Sequence, residues 1–501
     1  MRLPSFPTHF NRRALLLGLL ASGAAPLLAN APVSSPRPEA RSGEIALSAA
    51  GSVEDLIAAS GLSGDVAFVV TDAETGEVLE ARKPLLALPP ASVTKSVTTL
   101  YGLESLGGDY RFSTRIMATG SLQNGRLTGD LYLVGGGDPT LDADALGELA
   151  SRLKEVGLRE VRGKTYVYSG AIAYQKSIDP DQPDHLGYNP SLSGLNLNFN
   201  RVYFEWAKSA DGFAVTMDAR ARKFRPRVAM ATMKVVDRDN PLFSLNSTSK
   251  LDNWTVAASG LGRKGGRWLP VRRPQYYAAE VFQTIARSYG VELPNFVAIG
   301  QVPKATVLAE WQSDSLTVIL REMLKYSTNL VAEAVGMTAS KARGQSPKTL
   351  SASGRAMSDW VNKTTGSKRA KFRDHSGLGE ESQISPSDMV QVLMYSGWNG
   401  PLRALMKDID FRDDKGRPLK NQPIEVQAKT GTLNFVSALA GYARTPKGRK
   451  LCFAIFTADM AHRAKIPRAQ RERPVGARGW NRHAKELQQQ LIERWAGVFE
   501  I

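Results

Sequence analysis

Three short constellations in this chain set a hydroxyl beside an amine or an amide. In Ser92-Val-Thr-Lys95 the serine and lysine are three positions apart, which on a helix places them on one face, a turn from each other. A serine hydroxyl becomes a nucleophile when a neighbouring base takes its proton, and lysine is such a base once burial or a nearby cation lowers its pKa. Ser327-Thr328-Asn329 offers a hydroxyl and an amide together. Lys429-Thr430-Gly431-Thr432 supplies a cation, two hydroxyls suited to a carboxylate, and a glycine that lets a second backbone approach closely. These are the parts of a serine nucleophile, its base and a strand that could bind a substrate carboxylate.

The elements that must position them are legible nearby. Pro89-Pro90 halts the chain just before Ser92, the run from Val93 to Leu106 is helix-compatible, and Gly107-Gly108 ends it with a C-cap signal. The other Ser-x-x-Lys copies, at Ser151 to Lys154 and Ser247 to Lys250, lack that setting, and roughly two such matches arise by chance in a chain of this length. Helical runs at Ser315 to Tyr326 and from Leu330 flank Ser327, so the Ser-x-Asn group falls between two helices. Lys429 lies where Ala428 to Leu433 reads as a strand.

Two β segments around a Gly turn, Asp65 to Thr71 and Glu74 to Glu80, predict a hairpin. Further strands are expected at Ile424 to Ala428, Val436 to Ala443 and Leu451 to Thr457, followed by a helix over Ala484 to Val498. They would complete the hairpin's sheet and give one discontinuous α/β domain. From Tyr110 to about Val302 the texture changes to short β-like runs between turn clusters, as expected of an insert. Within it, Gly135-Gly-Gly-Asp-Pro-Thr140 lacks the last glycine of a phosphate-binding loop and reads as a strand running into a turn.

Three motifs in this order, each in a fitting local setting, resemble those of the penicillin-recognising serine acyl-transferases. Ser92 and Ser327 are 235 positions apart, and Ser327 and Lys429 are 102 apart. A large insert between the first two motifs resembles the D-alanyl-D-alanine carboxypeptidase/endopeptidase family, the low-molecular-mass type-4 (class C) penicillin-binding proteins. Gly135-Gly-Gly-Asp-Pro-Thr-Leu141, Asp374-His-Ser-Gly-Leu378 and Ala428-Lys-Thr-Gly-Thr-Leu433 resemble that family too. Thr328 stands where aspartate is common in the family, and His375 where glycine is expected. His375 is read as a loop residue that tunes substrate access or fills space, rather than as an acid or base.

The resemblance implies a serine β-lactamase/transpeptidase-like domain, an antiparallel sheet flanked by helices, from residues 51–108 and 303–501. Residues 109–302 would form a mainly β insert of one or two domains, with a nested unit near 165–275. It also implies that Ser92 attacks the carbonyl before a terminal D-Ala of a peptidoglycan stem peptide while Lys95 takes its proton. Ser327 would relay a proton to the leaving amine, and Asn329 would hold Lys95 or the substrate amide. Lys429 would supply positive potential, and Thr430, Gly431 and Thr432 would line the substrate site. The N–H groups of Ser92 and Thr432 would receive the oxyanion. No cofactor or metal is implied, and β-lactam antibiotics would acylate the same serine. The alternatives are a β-lactamase, which the missing Glu-x-x-Leu-Asn motif and the long insert disfavour, and a non-catalytic basic wall-binding protein.

Composition agrees with a large globular protein: 501 residues, 42% hydrophobic and 23% charged, long enough for about three domains. Cys452 is the single cysteine, in an apolar run read as a buried strand, and the five histidines form no close pair, so metal catalysis is disfavoured. Asn11 to Ala31 has the basic, apolar and small-residue regions of an export signal, with Arg12-Arg13 resembling a twin-arginine signal. Residues 1–31 are therefore expected to be a signal peptide and 32–50 a linker, with a periplasmic mature protein. Loss of Arg2, Arg12 and Arg13 lowers the formal charge from +17 to +14. That charge would favour the cell wall or peripheral contact with a membrane surface over nucleic acid. The Arg/Lys-rich stretch His462 to Lys485 reads as a solvated basic loop.

Overall fold

The computed structural model describes residues 52–500, apart from 414, 420 and 421. The expected export signal and linker lie outside the described residues.

The predicted hairpin is present as β1 (Asp65–Asp72) and β2 (Val78–Arg82). From the far end of the chain come β3 (Lys407–Asp408), β4 (Glu425–Leu433), β5 (Val436–Arg444) and β6 (Lys450–Ala458). They form one antiparallel sheet in the order β3-β4-β5-β6-β1-β2. β6 joins the two ends of the chain, with Asp65 opposite Ala458 and Asp72 opposite Leu451.

Successive side chains of a strand point to opposite faces, and both faces of this sheet are buried. Val66, Phe68 and Val70 join Leu451, Phe453 and Ile455 in one core, while Ala67, Val69, Cys452, Ala454 and Phe456 join another. This is why the strands read as continuous apolar runs instead of alternating ones.

The second core is filled by helices α1 (Thr94–Leu106), α2 (Leu316–Tyr326), α3 (Asn329–Ala342), α4 (Leu350–Thr365) and α5 (Pro386–Ser396). The opposite face is covered by the C-terminal helix α6 (Ala477–Val498), whose Trp495 ring lies 5.5 Å from Phe68. α6 starts seven residues earlier than expected, so it takes in part of the Arg-rich stretch that reads as loop.

Between α1 and α2 lies a five-stranded sheet in the order Phe296–Ile299, Thr165–Tyr168, Leu131–Gly135, Ser113–Ala118, Thr306–Gln312. Arg201–Ser209 and Asp252–Ala257 are each the central strand of a three-stranded sheet. Two helices, Ala143–Glu155 and Pro274–Ser288, depart from the β texture read there. Their signals are local: Asp142 caps the first through the Ala145 N–H, Leu146, Leu149 and Leu153 recur along its buried face, and Pro274 opens the second.

Candidate active site

The three motifs meet where α1, the α2–α3 turn and β4 converge. Ser92 sits in a 3₁₀ turn, Ala91–Val93, and the α-helix begins only at Thr94, so the serine precedes the first α-helical turn. Ala91 is held at φ 47°, a left-handed conformation that non-glycine residues avoid unless the surroundings impose it. Gly431 of β4 explains the packing. A Cβ there would stand 2.4 Å from the Pro90 carbonyl and 3.1 Å from the Ser92 nitrogen, so only glycine lets the strand lie against this turn. β4 runs unbroken from Glu425 to Leu433 and carries Lys429 to Thr432 inside it.

Lys95 is fully buried, and its Nζ lies 3.0 Å from Ser92 Oγ, 2.8 Å from Asn329 Oδ1 and 2.8 Å from the Ser376 carbonyl. Burial pushes its pKa down to about 7, with Glu333 and Asp374 opposing. A large fraction of Lys95 is therefore a free amine near neutrality. Ser327 ends α2 in a left-handed conformation (φ 59°, ψ 38°), and Asn329 opens α3, so the Ser-x-Asn group is presented from a tight turn as expected. Lys429 is also buried, donates to the Thr430 carbonyl at 2.7 Å, and is held well below the usual lysine range by burial and then by Lys95 and Lys407.

A cavity of about 250 Å³ opens beside Ser92. Ser327, Asn329 and Thr432 share its wall, and Lys95, Lys429, Thr430 and Gly431 do not, although Lys95 reaches Ser92 Oγ and Gly431 packs against the Ser92 turn. Gly377, Leu378 and Leu433, from two stretches that carry the family resemblance, line the cavity as well, but other parts of the wall were not singled out from sequence as a site. Gln182 and Tyr188 come from the stretch between the first two motifs, and Arg463, Arg471 and Glu472 come from the basic segment. That segment is only in part a solvated loop: Lys465, Arg468, Arg473, Arg478 and Arg482 are exposed, but some of its arginines are engaged by the fold. Arg463 is buried and pairs with Glu380 at 2.6 Å, while Arg468 and Arg471 donate to the carbonyls of Gln182 and Asp181. Glu472 bridges His185 and Arg267, and its carboxyl is drawn down to about 2, chiefly by the bond from His185. No charge pattern in the sequence marks these arginines out from the other basic residues of the stretch; only the fold brings acceptors to them.

Beneath Lys95, sequence reasoning also missed Glu333 and the role of Asp374, both fully buried acids whose pKa values burial raises. Asp374 accepts from the N–H groups of Gly377 and Gly379 at 2.7 Å each. His375 points away from the cavity. Its Nε2 lies 2.7 Å from Ser353 Oγ, its ring stacks on Tyr101 at 6.2 Å, and Gly336 leaves the space it occupies. Burial lowers its pKa to about 3, so it is a neutral, space-filling core residue. Of the other two Ser-x-x-Lys copies, one lies on the helix Ala143–Glu155 and the other begins at the end of the strand Phe243–Ser247; both lysines are exposed.

An antiparallel sheet between helices, with a serine and a buried lysine at the head of one helix, defines a serine enzyme of the transpeptidase-like class. The D-Ala-D-Ala carboxypeptidase 3 (S13) family model matches residues 49–476, and the chain belongs to that family. It is 28% identical over 475 residues to a D-alanyl-D-alanine carboxypeptidase of Actinomadura sp. (strain R39), covering 88% of this chain and 84% of that one. It is 25% identical to the D-alanyl-D-alanine carboxypeptidase DacB of Haemophilus influenzae, covering 84% and 92%. The crystal structure of penicillin binding protein 4 (dacB) from Haemophilus influenzae superposes with a TM-score of 0.69 at 21% identity, covering 88% of this chain and 99% of that one. Among the described residues no helix is long and apolar enough to cross a membrane.

Proposed function

We propose that this enzyme removes the terminal D-Ala from D-alanyl-D-alanine stem peptides of peptidoglycan, and cleaves the corresponding cross-links, through an acyl-enzyme on Ser92. Lys95 accepts the Ser92 proton as Oγ bonds to the carbonyl carbon. The C–N bond then breaks, Ser327 passes a proton to the departing amine, and water hydrolyses the ester. Asn329 orients Lys95, Lys429 supplies positive potential, and Thr430, Gly431 and Thr432 line the site for the terminal carboxylate. The Ser92 and Thr432 N–H groups receive the oxyanion. A β-lactam opens on the same serine and leaves a slowly hydrolysed ester.

The observation that carries this reading is the 3.0 Å contact between Ser92 Oγ and a fully buried Lys95. We also read residues 109–302 as an inserted unit of the chain, and residues 1–31 as the signal that delivers the enzyme to the periplasm, where its polymer substrate lies.

Incubation with a fluorescent penicillin followed by peptide mass spectrometry tests the chemistry. Stoichiometric label on Ser92, absent in Ser92→Ala, is the expected result. Label on another residue, or sustained rapid nitrocefin hydrolysis, would overturn it, the latter in favour of a β-lactamase.

A further inference from the structure

Glu333 has no part in that scheme, yet it is fully buried in the helix that begins with Asn329. At i,i+4 from Asn329 it lies one turn further along the same face of α3. Its Oε2 accepts from the His375 N–H at 3.0 Å, and its Oε1 from the Ser376 N–H at 2.9 Å. The carbonyl of Ser376 in turn accepts from Lys95 Nζ at 2.8 Å. We propose that Glu333 is a positioning residue for Lys95: its carboxylate fixes the backbone whose carbonyl aims the lysine amine at Ser92.

A free amine has two N–H bonds and one lone pair. The Asn329 and Ser376 oxygens facing Lys95 are acceptors only, so they take both N–H bonds and leave the lone pair for the Ser92 hydroxyl. Without the Ser376 carbonyl in place, the amine is free to rotate and turn an N–H toward Ser92, which cannot remove its proton. One rigid carboxylate accepts two charge-assisted bonds, from the N–H of Ser376 itself and from that of His375 before it, and so holds this backbone in place.

Charge acts in the same place. The charged groups facing Lys95 are Glu333 on α3, Asp374 on the loop and Lys429 on β4. Burial raises the Glu333 pKa to about 8, but both of its oxygens accept from backbone N–H groups, the pattern of the ionised form. In that form it favours the ammonium and opposes the depression that burial produces in Lys95. Removing its negative charge therefore moves the lysine titration to lower pH.

The inference rests on acyl transfer by Ser92 and Lys95, and its test separates the two. The acylation rate of the parent and of Glu333→Gln with fluorescent penicillin is followed between about pH 5 and 9. The substitution keeps the shape but turns an NH2 toward one of the two backbone N–H groups. The expected result is an alkaline plateau lower by about tenfold, with the acid limb shifted down by about half a pH unit. Superimposable profiles would overturn the role of Glu333 while leaving the acyl-transfer reading intact.

A second measurement stands in if Glu333→Gln does not fold, or if the parent takes no label, which would sink the acyl-transfer reading itself. Glutamate is labelled with ¹³C at the carboxyl in the parent and in Lys95→Ala, and its titration is followed by NMR. One glutamate signal moving to higher pH in Lys95→Ala is expected, because the carboxylate loses its cation. No glutamate responding to the loss of Lys95 would overturn the link.

Discussion

The carbonyl of Tyr188 accepts a hydrogen bond from the Asn329 amide at 2.9 Å, and this bond fixes which way round the asparagine sits. With Nδ2 committed to a carbonyl, Oδ1 is the atom that faces Lys95 Nζ at 2.8 Å. Tyr188 belongs to the stretch between the first two motifs, so that stretch reaches the reacting groups through one peptide. The stretch is itself anchored there. His185 and Arg267 pair with Glu472, and Arg468 grips the Gln182 carbonyl.

Asn329→Asp changes this pair while keeping its shape. A carboxylate cannot donate to the Tyr188 carbonyl, and its negative charge beside Lys95 favours the ammonium. Penicillin acylation is expected to fall by about 10²-fold, with its acid limb moved to higher pH. Asn329→Ala is expected to lose rate without that upward shift. Stopped-flow labelling across pH distinguishes the two, and identical pH profiles in both variants would contradict the assignment.

The parent's own profile follows from Lys95. Burial lowers its pKa to about 7, and the base is the deprotonated form. Acylation is therefore expected to fall by about tenfold per pH unit well below that value and to level off above it. The sign is opposite to that of a mechanism needing the ammonium, which would lose rate as pH rises. Rates under pseudo-first-order penicillin between about pH 5 and 9 decide between them.

The elements that carry local signals were legible in the sequence. Pro89-Pro90 and Gly107 bracket α1, the Gly turn marks the β1–β2 hairpin, and the apolar run around Cys452 marks a central strand. The convergence of Ser92, Lys95 and Asn329 was legible because motif order and spacing carried it. Glu333 was not, since one acid inside Leu-Val-Ala-Glu-Ala-Val-Gly has no sequence partner; its partners are backbone N–H groups more than forty residues away. The same holds for Arg463, whose burial depends on Glu380 and the Asn434 carbonyl arriving from other segments.

Gly431→Ala tests the approach of β4 to the nucleophile turn. The added Cβ would meet the Pro90 carbonyl at 2.4 Å and the Ser92 nitrogen at 3.1 Å, and backbone on both sides leaves little room to yield. The strand is expected to move away from Ser92, cutting acylation by about 10²-fold and stability by about 1–3 kcal/mol. Gly344→Ala is the control on the stability side, because that glycine has open space around it and only its φ of 79° to strain. Acylation unchanged in Gly431→Ala would show that β4 does not set the geometry at Ser92.

His375 separates a structural histidine from a catalytic one. Its pKa is lowered by burial to about 3, so the folded protein refuses a proton that the unfolded chain binds near the ordinary value of 6.5. The stability contributed by burying the neutral ring is fully present above about pH 6.5. It is lost as pH falls toward the folded-state value, because the unfolded state is then the one that gains protons. His375→Ala removes both the ring and this pH dependence. At pH 8 the variant is expected to be less stable by about 2–4 kcal/mol, from the cavity beside Tyr101 and the lost bond to Ser353. As pH is lowered, the gap in Tm between parent and variant is expected to narrow, since only the parent carries the penalty. The acid limb of acylation is expected to stay where Lys95 puts it. A constant gap in Tm would show that the folded protein protonates His375 as readily as the unfolded chain does, and a displaced acid limb would return it to the reaction.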